Sequence, residues 1–256
     1  MSDEEKPLPS WDRPNYEEGG GRPFLLYVLY GAFPPTIERP EAAYRSEGLP
    51  RGIGMRKYDS RHPQGRTHFL QGYNWERFRK ENPALALQVW NAPESLVIIG
   101  EPENPRTLDY LRDVIGLVTH LADHGAVCVN DPQTMEWWTP AEWRARIFEA
   151  DGPAPHRHVA ILTSEEKMPG YYWFHTRGMR KFGRPDLSLH DVLEALREPV
   201  LEMFERLIKR QVLGAVVPEA QELRMASLPP GLCCFHEGDT NDPDFNNAHI
   251  EIVWPE

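Results

Sequence analysis

Cysteine is scarce in this chain of 256 residues, which has only Cys128, Cys233 and Cys234. An odd number, with two residues adjacent, is not a disulfide framework, and no C-x-x-C zinc pattern is present. All three lie in apolar, strand-like runs, so we expect buried free thiols. The sequence also contains no run of transmembrane length and no apolar signal region near its first residue. These absences favour the reducing cytoplasm as the location.

Basic residues are in the minority. The chain has 28 Lys and Arg against 39 Asp and Glu, which gives a formal net charge of −11. Such a charge argues against broad electrostatic binding to DNA, RNA or an anionic membrane, because phosphate-rich surfaces attract cations. It suits a basic protein partner.

Catalytic signatures are also missing. The sequence has no G-x-S-x-G elbow, no H-E-x-x-H helix, no phosphate-binding P-loop and no dinucleotide fingerprint. The adjacent thiols of Cys233 and Cys234 lie in an apolar run, which raises a thiol pKa and disfavours a nucleophile. The sequence therefore predicts no cofactor, no metal site and no specific reaction.

The composition is that of a globular protein, since 40% of residues are hydrophobic, and the 25 prolines predict long ordered connections. Residues 1–23 are polar and rich in Pro, Gly and acid, which predicts a flexible arm. The remainder, 24–256, is expected to form a single domain. Two subdomains joined near the proline-rich stretch 150–156 are the alternative.

Several segments carry recognisable helix and strand patterns. Residues 24–30 form a continuous apolar run that predicts a strand buried on both faces. Residues 104–124 repeat apolar positions at helical spacing, with Asn104 as the expected N-cap. Thr139-Pro140-Ala141-Glu142 has the form of a capping box that begins another helix. Residues 85–90 and 95–99 read as strands.

The second half of the sequence favours a hairpin followed by a helix. Residues 157–163 and 171–176 are β-rich and flank a turn. Ser188 and Asp191 have the spacing of a helix start, and Pro199 is expected to kink that helix. The irregular alternation of helices and strands predicts an α+β fold with a mixed, mostly antiparallel sheet flanked by helices.

The stretch 171–191 concentrates groups able to bind an anion. Four basic residues and no acid lie between His175 and Arg184, and guanidinium groups bind oxyanions through paired hydrogen bonds. The competing interpretation is that this basic loop pairs with the acidic segment 231–256. The candidate binding residues are His175, Arg177, Arg180 and Lys181.

A second group of polar residues follows His236. The stretch 236–244 is rich in Asp and Asn, and it fails the EF-hand calcium pattern because its glycine and final glutamate are missing. His249 and Glu251 would share one strand face. If the protein is an enzyme, His175 and His236 are the candidate acid–base residues. The structural alternative is a turn-rich hairpin loop.

Exposed aromatic residues beside arginine are typical of protein interfaces. Tryptophans cluster at 137–143, and Tyr171, Tyr172 and Trp173 crowd the hairpin. Alternate members of an extended run point to opposite sides, so some are expected to be exposed. Trp138 and Trp173 are the aromatic candidates for a binding surface.

The run from Thr176 to Leu187 contains T-x-G-M-x-x-F-G-x-P-D-L. Together with Gly125, Asp131-Pro132 and Trp138, it resembles a family of uncharacterised bacterial proteins with the signature T-x-G-[ML]-x-x-F-G-x-P-[DE]-[LI]. The first hundred residues and the acidic C-terminal segment lie outside the resemblance. Similar proteins often sit beside toxin or secretion genes, which implies an immunity or adaptor role.

Two functions are therefore expected. The first is a non-catalytic cytoplasmic protein-binding module, either an immunity protein that neutralises a basic toxin or an adaptor for a secretion component. The second is an enzyme acting on a phosphorylated or carboxylated small substrate through His and Arg residues. The enzyme requires a pocket in which His175, Arg177 and an acid converge, whereas the binding module requires an exposed surface.

Overall fold

The computed structural model describes residues 8–36, 40, 42–150 and 152–255. The contacts divide the chain into two compact units. One comprises Met1–Asp12 with Leu25–Pro153, and the other comprises Arg13–Phe24 with Ala154–Glu256. The chain passes from the first unit to the second between Pro153 and Ala154, inside the proline-rich stretch 150–156.

The first unit is built on a five-stranded sheet in which every pairing is antiparallel. The strand order is β2-β3-β1-β4-β5. The strands are β1 (Leu25–Gly31), β2 (Ile53–Tyr58), β3 (Glu94–Gly100), β4 (Ala126–Asp131) and β5 (Glu136–Trp138).

Helices cover both faces of this sheet, so the central strand β1 is buried on both sides, as its apolar run predicts. Tyr27 packs edge-on against Trp143 with ring centroids 5.5 Å apart, and on the other face Tyr30 stacks on Trp137 at 6.0 Å. The helices are α1 (Pro63–Thr67), α2 (Gly72–Glu81), α3 (Pro83–Asn91), α4 (Asp109–Asp123) and α5 (Pro140–Trp143), the last continuing as a π-helical turn over Arg144–Phe148.

The second unit contains a six-stranded sheet and one long helix, α6 (Arg197–Val212). The strand order is β6-β7-β8-β11-β10-β9, and β8 with β11 is its parallel pair. Phe174 on β7 contacts Phe204 on α6, with ring centroids 6.3 Å apart. The strands are β6 (Ala160–Glu165), β7 (Tyr171–Arg177), β8 (Asp186–Leu193), β9 (Gln221–Leu223), β10 (Leu232–Glu237) and β11 (His249–Val253).

The predicted fold class is confirmed: the chain is α+β, with six helices and two mostly antiparallel sheets in its described part. The capping box is also confirmed, because Thr139 accepts from Glu142 N while the Glu142 side chain accepts from Thr139 N. The β6–β7 hairpin pairs in antiparallel register, as expected.

Three local predictions were wrong. Residues 85–90 belong to the helix α3, which begins at Pro83, and not to a strand. Ser188 and Asp191 lie in the strand β8, and α6 begins later, at Arg197. Pro199 therefore falls in the first turn, where no backbone N–H is required for the helix, and it does not interrupt α6.

The start of the helix α4 also differs from the prediction, and part of the predicted arm is packed. The helix α4 begins at Asp109 rather than Asn104, whose side chain instead accepts a hydrogen bond from Arg106 N at 3.1 Å. Residues 1–7 of the expected arm lie outside the described residues. Its remaining part contains three buried residues, Trp11, Arg13 and Pro23. No helix in the described ranges combines the length and apolar character needed to cross a membrane.

Candidate functional site

One face of the second sheet is turned away from α6. Side chains alternate along a strand, so the contact of Phe174 with α6 places Trp173 and His175 on the opposite side. Cross-strand neighbours then share that side. We call this side the open face; its members are Trp173, His175, Ser188, Cys233, Phe235, Glu237, His249, Glu251 and Val253.

A single row of neighbours crosses four strands of the open face. His175 pairs with Ser188, Ser188 with Glu251, and Glu251 with Phe235. The row exists because β11 inserts between β8 and β10. It brings a histidine, a hydroxyl, a carboxylate and an aromatic ring together from four separate strands.

Aromatic stacking organises one end of the open face. The Trp173 ring stacks on His175 with centroids 3.9 Å apart, and on His190 at 5.0 Å. The indole N–H donates to Ser188 Oγ at 2.9 Å. Phe245 packs edge-on against His175 at 5.8 Å and stacks on His249 at 4.2 Å. The segment that carries Phe245 therefore covers the histidines.

Burial sets the charge state of His175. Desolvation, followed by the positive charge of Arg177, lowers the pKa of His175 to about 4, so the ring is neutral at neutral pH. Burial likewise lowers the pKa of Arg177, against the opposing carboxylates of Asp186, Asp244 and Asp242. The Arg177 guanidinium donates to the backbone carbonyl of Asp244.

The other end of the open face carries carboxylates. Burial raises the pKa of Glu251, and a hydrogen bond with Ser188 opposes that shift. His249 lies between Asp242, whose Oδ2 is 3.7 Å from Nδ1, and Glu251, whose Oε2 is 3.9 Å from Nε2. Both separations are longer than a hydrogen bond.

Three buried polar atoms of this cluster have no hydrogen-bond partner among the described residues. They are His175 Nδ1, Arg177 Nε and His249 Nδ1. Within the same described part of the chain, no group of three or more His, Cys, Asp or Glu could hold a metal ion. The cluster combines the neutral His175 ring and the Arg177 guanidinium with the carboxyl groups of Asp242 and Glu251.

Beyond the buried cluster, the open face is exposed and mixes apolar with acidic side chains. Phe235 is 36% exposed and Val253 is 43% exposed. Phe235 lies directly across from Glu251, and Glu237 lies across from His249. The exposed Phe235 ring therefore has a carboxylate beside it, whereas Val253 pairs with Cys233.

The cations of the basic loop donate mainly to backbone carbonyls. Lys181 is fully buried and its Nζ donates to the backbone carbonyl of His158 at 3.0 Å. Arg180 donates to the carbonyl of Asn246 at 3.0 Å and lies over the Phe24 ring. The buried Arg184 donates to the carbonyls of Glu17, Gly19, Gly183, Gly214 and Ala215.

The expected pairing of this loop with the acidic segment 231–256 takes a specific form. Arg177 and Arg180 contact that segment through the backbone carbonyls of Asp244 and Asn246, and these contacts use no carboxylate. The cations hold the loop 238–248 against β7 and the following turn. Their role in this geometry is to satisfy backbone oxygens.

The residues of the run from Thr176 to Leu187 are mostly buried. Thr176, Phe182 and Asp186 are fully buried. Asp186 accepts from Thr176 Oγ1 at 2.8 Å and from Asn247 Nδ2 at 2.8 Å, while burial raises its pKa to about 6. Gly183 has φ +61°, and a Cβ there would lie 2.8 Å from the Gly21 carbonyl oxygen. These residues build the turn between β7 and β8.

Two further candidates lie apart from this cluster. His236 on β10 pairs with Ile250 on β11, so it faces away from His175, and its Nε2 lies 2.8 Å from the Val217 carbonyl. The structure does not bring the two candidate acid–base histidines together. Trp138 belongs to the first unit, where the Arg146 guanidinium lies 5.7 Å from its ring centre.

Sequence reasoning did not identify Phe235, Phe245 or His190 as site residues. The only local signal is the alternation Cys233, Phe235, Glu237 on one strand and His249, Glu251, Val253 on another. Their neighbour relation depends on the sheet order. Comparison with protein-family models, with curated proteins and with solved structures found no match to this chain.

Proposed function

We propose that this protein is a non-catalytic protein-binding module that holds a basic partner on the open face. The observation that carries the proposal is the cross-strand pair of Phe235 and Glu251. An exposed aromatic ring next to a carboxylate combines the two contacts that a cationic protein surface needs, apolar burial and charge.

The wider charge distribution supports a basic partner. The chain carries a net charge of −11, and residues 231–256 contain no Lys or Arg. Glu237 on the open face and Asp239, two residues further along the chain, are both exposed. An acidic rim around an apolar centre raises the association rate of a cationic partner and disfavours acidic competitors.

The arrangement of the basic loop supports the same choice. Lys181 and Arg184 are buried and donate to backbone carbonyls, and the charge of Arg177 is opposed by the carboxylates of Asp186, Asp244 and Asp242. These cations are therefore poorly placed to receive an anionic substrate. A basic toxin neutralised by an acidic immunity protein, or a basic secretion component held by an adaptor, fits the surface and agrees with the family resemblance.

An enzyme acting on a phosphorylated or carboxylated small substrate is the second candidate. It is favoured by the three buried polar atoms that lack partners among the described residues, since such groups cluster at ligand sites. His175 would be its acid–base residue. Thermal unfolding with a panel of phosphorylated and carboxylated metabolites tests this candidate. Stabilisation that the His175→Gln variant loses would support it, and no stabilisation would remove it.

Affinity capture from a lysate of the source organism, with quantitative mass spectrometry, tests the binding proposal. Wild type, Phe235→Asp and Glu251→Lys are compared, with Leu87→Asp as the control because Leu87 is an exposed apolar residue of the first unit. We expect one stoichiometric partner with excess Lys and Arg, lost with the first two variants and kept with the control. An acidic partner, or one retained by every variant, would refute the proposal, as would the absence of any partner.

A further inference from the structure

The first unit contains a groove of about 490 Å³ that is separate from the open face. It lies between the end of α2, the start of α3 and the β5–α5 connection. Sites for small ligands typically have volumes of roughly 300–1,000 Å³. The residues that decide its chemistry are Phe78, Glu136, Trp137, Trp138, Glu142 and Arg146.

Aromatic rings form its walls. Phe78 and Trp137 are stacked, with ring centroids 4.4 Å apart and planes within 9°. Trp138 is half-buried, and the Arg146 guanidinium already lies 5.7 Å from its ring centre. The face of an indole ring carries negative potential and attracts cations. The Trp138 ring in the groove is thus already in contact with one cation of the chain, the Arg146 guanidinium.

Carboxylates form the second wall. Glu136 and Glu142 both line the groove. Burial raises the pKa of Glu136, the nearby Asp131 and Glu81 raise it further, and Arg77 and Arg146 oppose the shift. The Arg77 guanidinium donates a hydrogen bond to the backbone carbonyl of Met135 at 2.6 Å. A cation inside the groove would therefore stabilise the charged form of a half-buried carboxylate.

We propose that this groove binds a guanidinium or ammonium group carried on a short alkyl chain, with Glu136 pairing with the charge and Trp138 stacking on it. The Glu142 carboxylate, whose Oε2 accepts from Thr139 N and Oγ1 in the capping box, adds negative charge to the wall. The source of the group is either a free organic amine or an Arg or Lys side chain of a peptide. The site does not depend on the open face of the second sheet.

Isothermal titration calorimetry with butylguanidinium tests the proposal, because N-butylurea provides an uncharged probe of nearly the same shape. A capped Gly-Arg-Gly peptide distinguishes a side chain from a free amine as the preferred source. We expect saturable binding of the cation, about tenfold or more tighter than that of the urea. Glu136→Gln and Trp138→Leu should each weaken binding about three- to tenfold.

Arg146→Ala provides a test in the opposite direction. It removes the guanidinium that competes for Trp138 and for both carboxylates, so binding of butylguanidinium should tighten. Phe235→Asp, in the second unit, should leave the affinity unchanged. Equal binding of the cation and the urea, no saturable binding, or weaker binding by the Arg146→Ala variant would overturn the proposal.

Discussion

Thr176 and Asp186 are joined by a hydrogen bond of 2.8 Å inside the second unit, and the same hydroxyl accepts from Leu187 N at 2.8 Å. Both residues are fully buried. The run T-x-G-M-x-x-F-G-x-P-D-L therefore corresponds to a buried turn joining β7 to β8. Thr176 and Asp186 therefore stabilise the fold, and the proposed binding surface lies elsewhere on the sheet.

Replacing Thr176 with Val should destabilise the protein by about 2–3 kcal/mol, because a buried N–H and a buried carboxylate each lose a partner. Urea unfolding measures the change. Thr163→Val, at an exposed position of the neighbouring strand β6, is the matched control and should cost less than about 0.5 kcal/mol. Equal costs for the two variants would contradict the structural role.

Arg184→Lys should also be strongly destabilising, by about 3 kcal/mol or more. Arg184 is 2% exposed and its planar fork donates to five backbone carbonyls, which a single ammonium group cannot satisfy together. Arg210→Lys, on the exposed side of α6, serves as the control. If Arg184→Lys unfolds at the wild-type urea concentration, the carbonyl network does not stabilise this unit.

The free energy of unfolding should fall on acidification. The folded-state pKa of His175 is lowered to about 4 and that of His158 to about 3, so the unfolded chain binds more protons below its ordinary histidine pKa. The stability that the neutral rings provide is complete above about pH 6.5 and is lost as the pH falls through the folded values. Asp186, with its pKa raised to about 6, opposes this trend because its protonated form favours the folded state.

His175→Gln should flatten this pH dependence. For a shift from 6.5 to about 4, the histidine contributes up to about 3 kcal/mol to the difference in stability between neutral and acid conditions. Urea unfolding at about pH 7.5 and about pH 4.5 measures that difference. His68→Gln, at an exposed position of the first unit, should leave it unchanged. An unchanged pH dependence in the His175→Gln variant would show that His175 does not carry it.

Binding of the proposed basic partner should slow with salt. The carboxylates beside Phe235 act over distances of the order of the Debye length, about 10 Å at 0.1 M salt, so screening reduces the association rate more than it raises the dissociation rate. Stopped-flow kinetics with the captured partner measures both rates. Glu237→Gln, a change at an exposed carboxylate, should lower the salt sensitivity of association. A salt effect confined to dissociation would argue against electrostatic steering.

Local sequence patterns predicted some elements and misassigned others. The capping box at Thr139 and the buried strand β1 could be identified because adjacent residues determine them. Leu85, Leu87 and Val89 alternate as in a strand, yet Pro83 begins a helix that buries Ala86 and Val89. Ser188 and Asp191 resemble a helix start, but both lie in the strand β8, where Ser188 pairs with His175 on β7. Tertiary contacts override propensity at both places.

The open face could not be predicted because its residues become neighbours only through the sheet order. β11 pairs in parallel with β8 and in antiparallel with β10, which places Glu251 between Ser188 and Phe235. Nothing in the sequence between Leu193 and His249 specifies that insertion. The basic loop was visible in the sequence, but its burial was not, since the carbonyls that receive Lys181 and Arg184 come from distant segments.

Hydrogen–deuterium exchange of the protein, free and with its captured partner, tests the central proposal most directly. If the open face is the binding surface, amide exchange should slow in β10 and β11 on complex formation, while α2 and α3 of the first unit stay unchanged. Protection confined to the first unit, or exchange in β10 and β11 that the partner leaves unaltered, would contradict the assignment of the open face as the partner site.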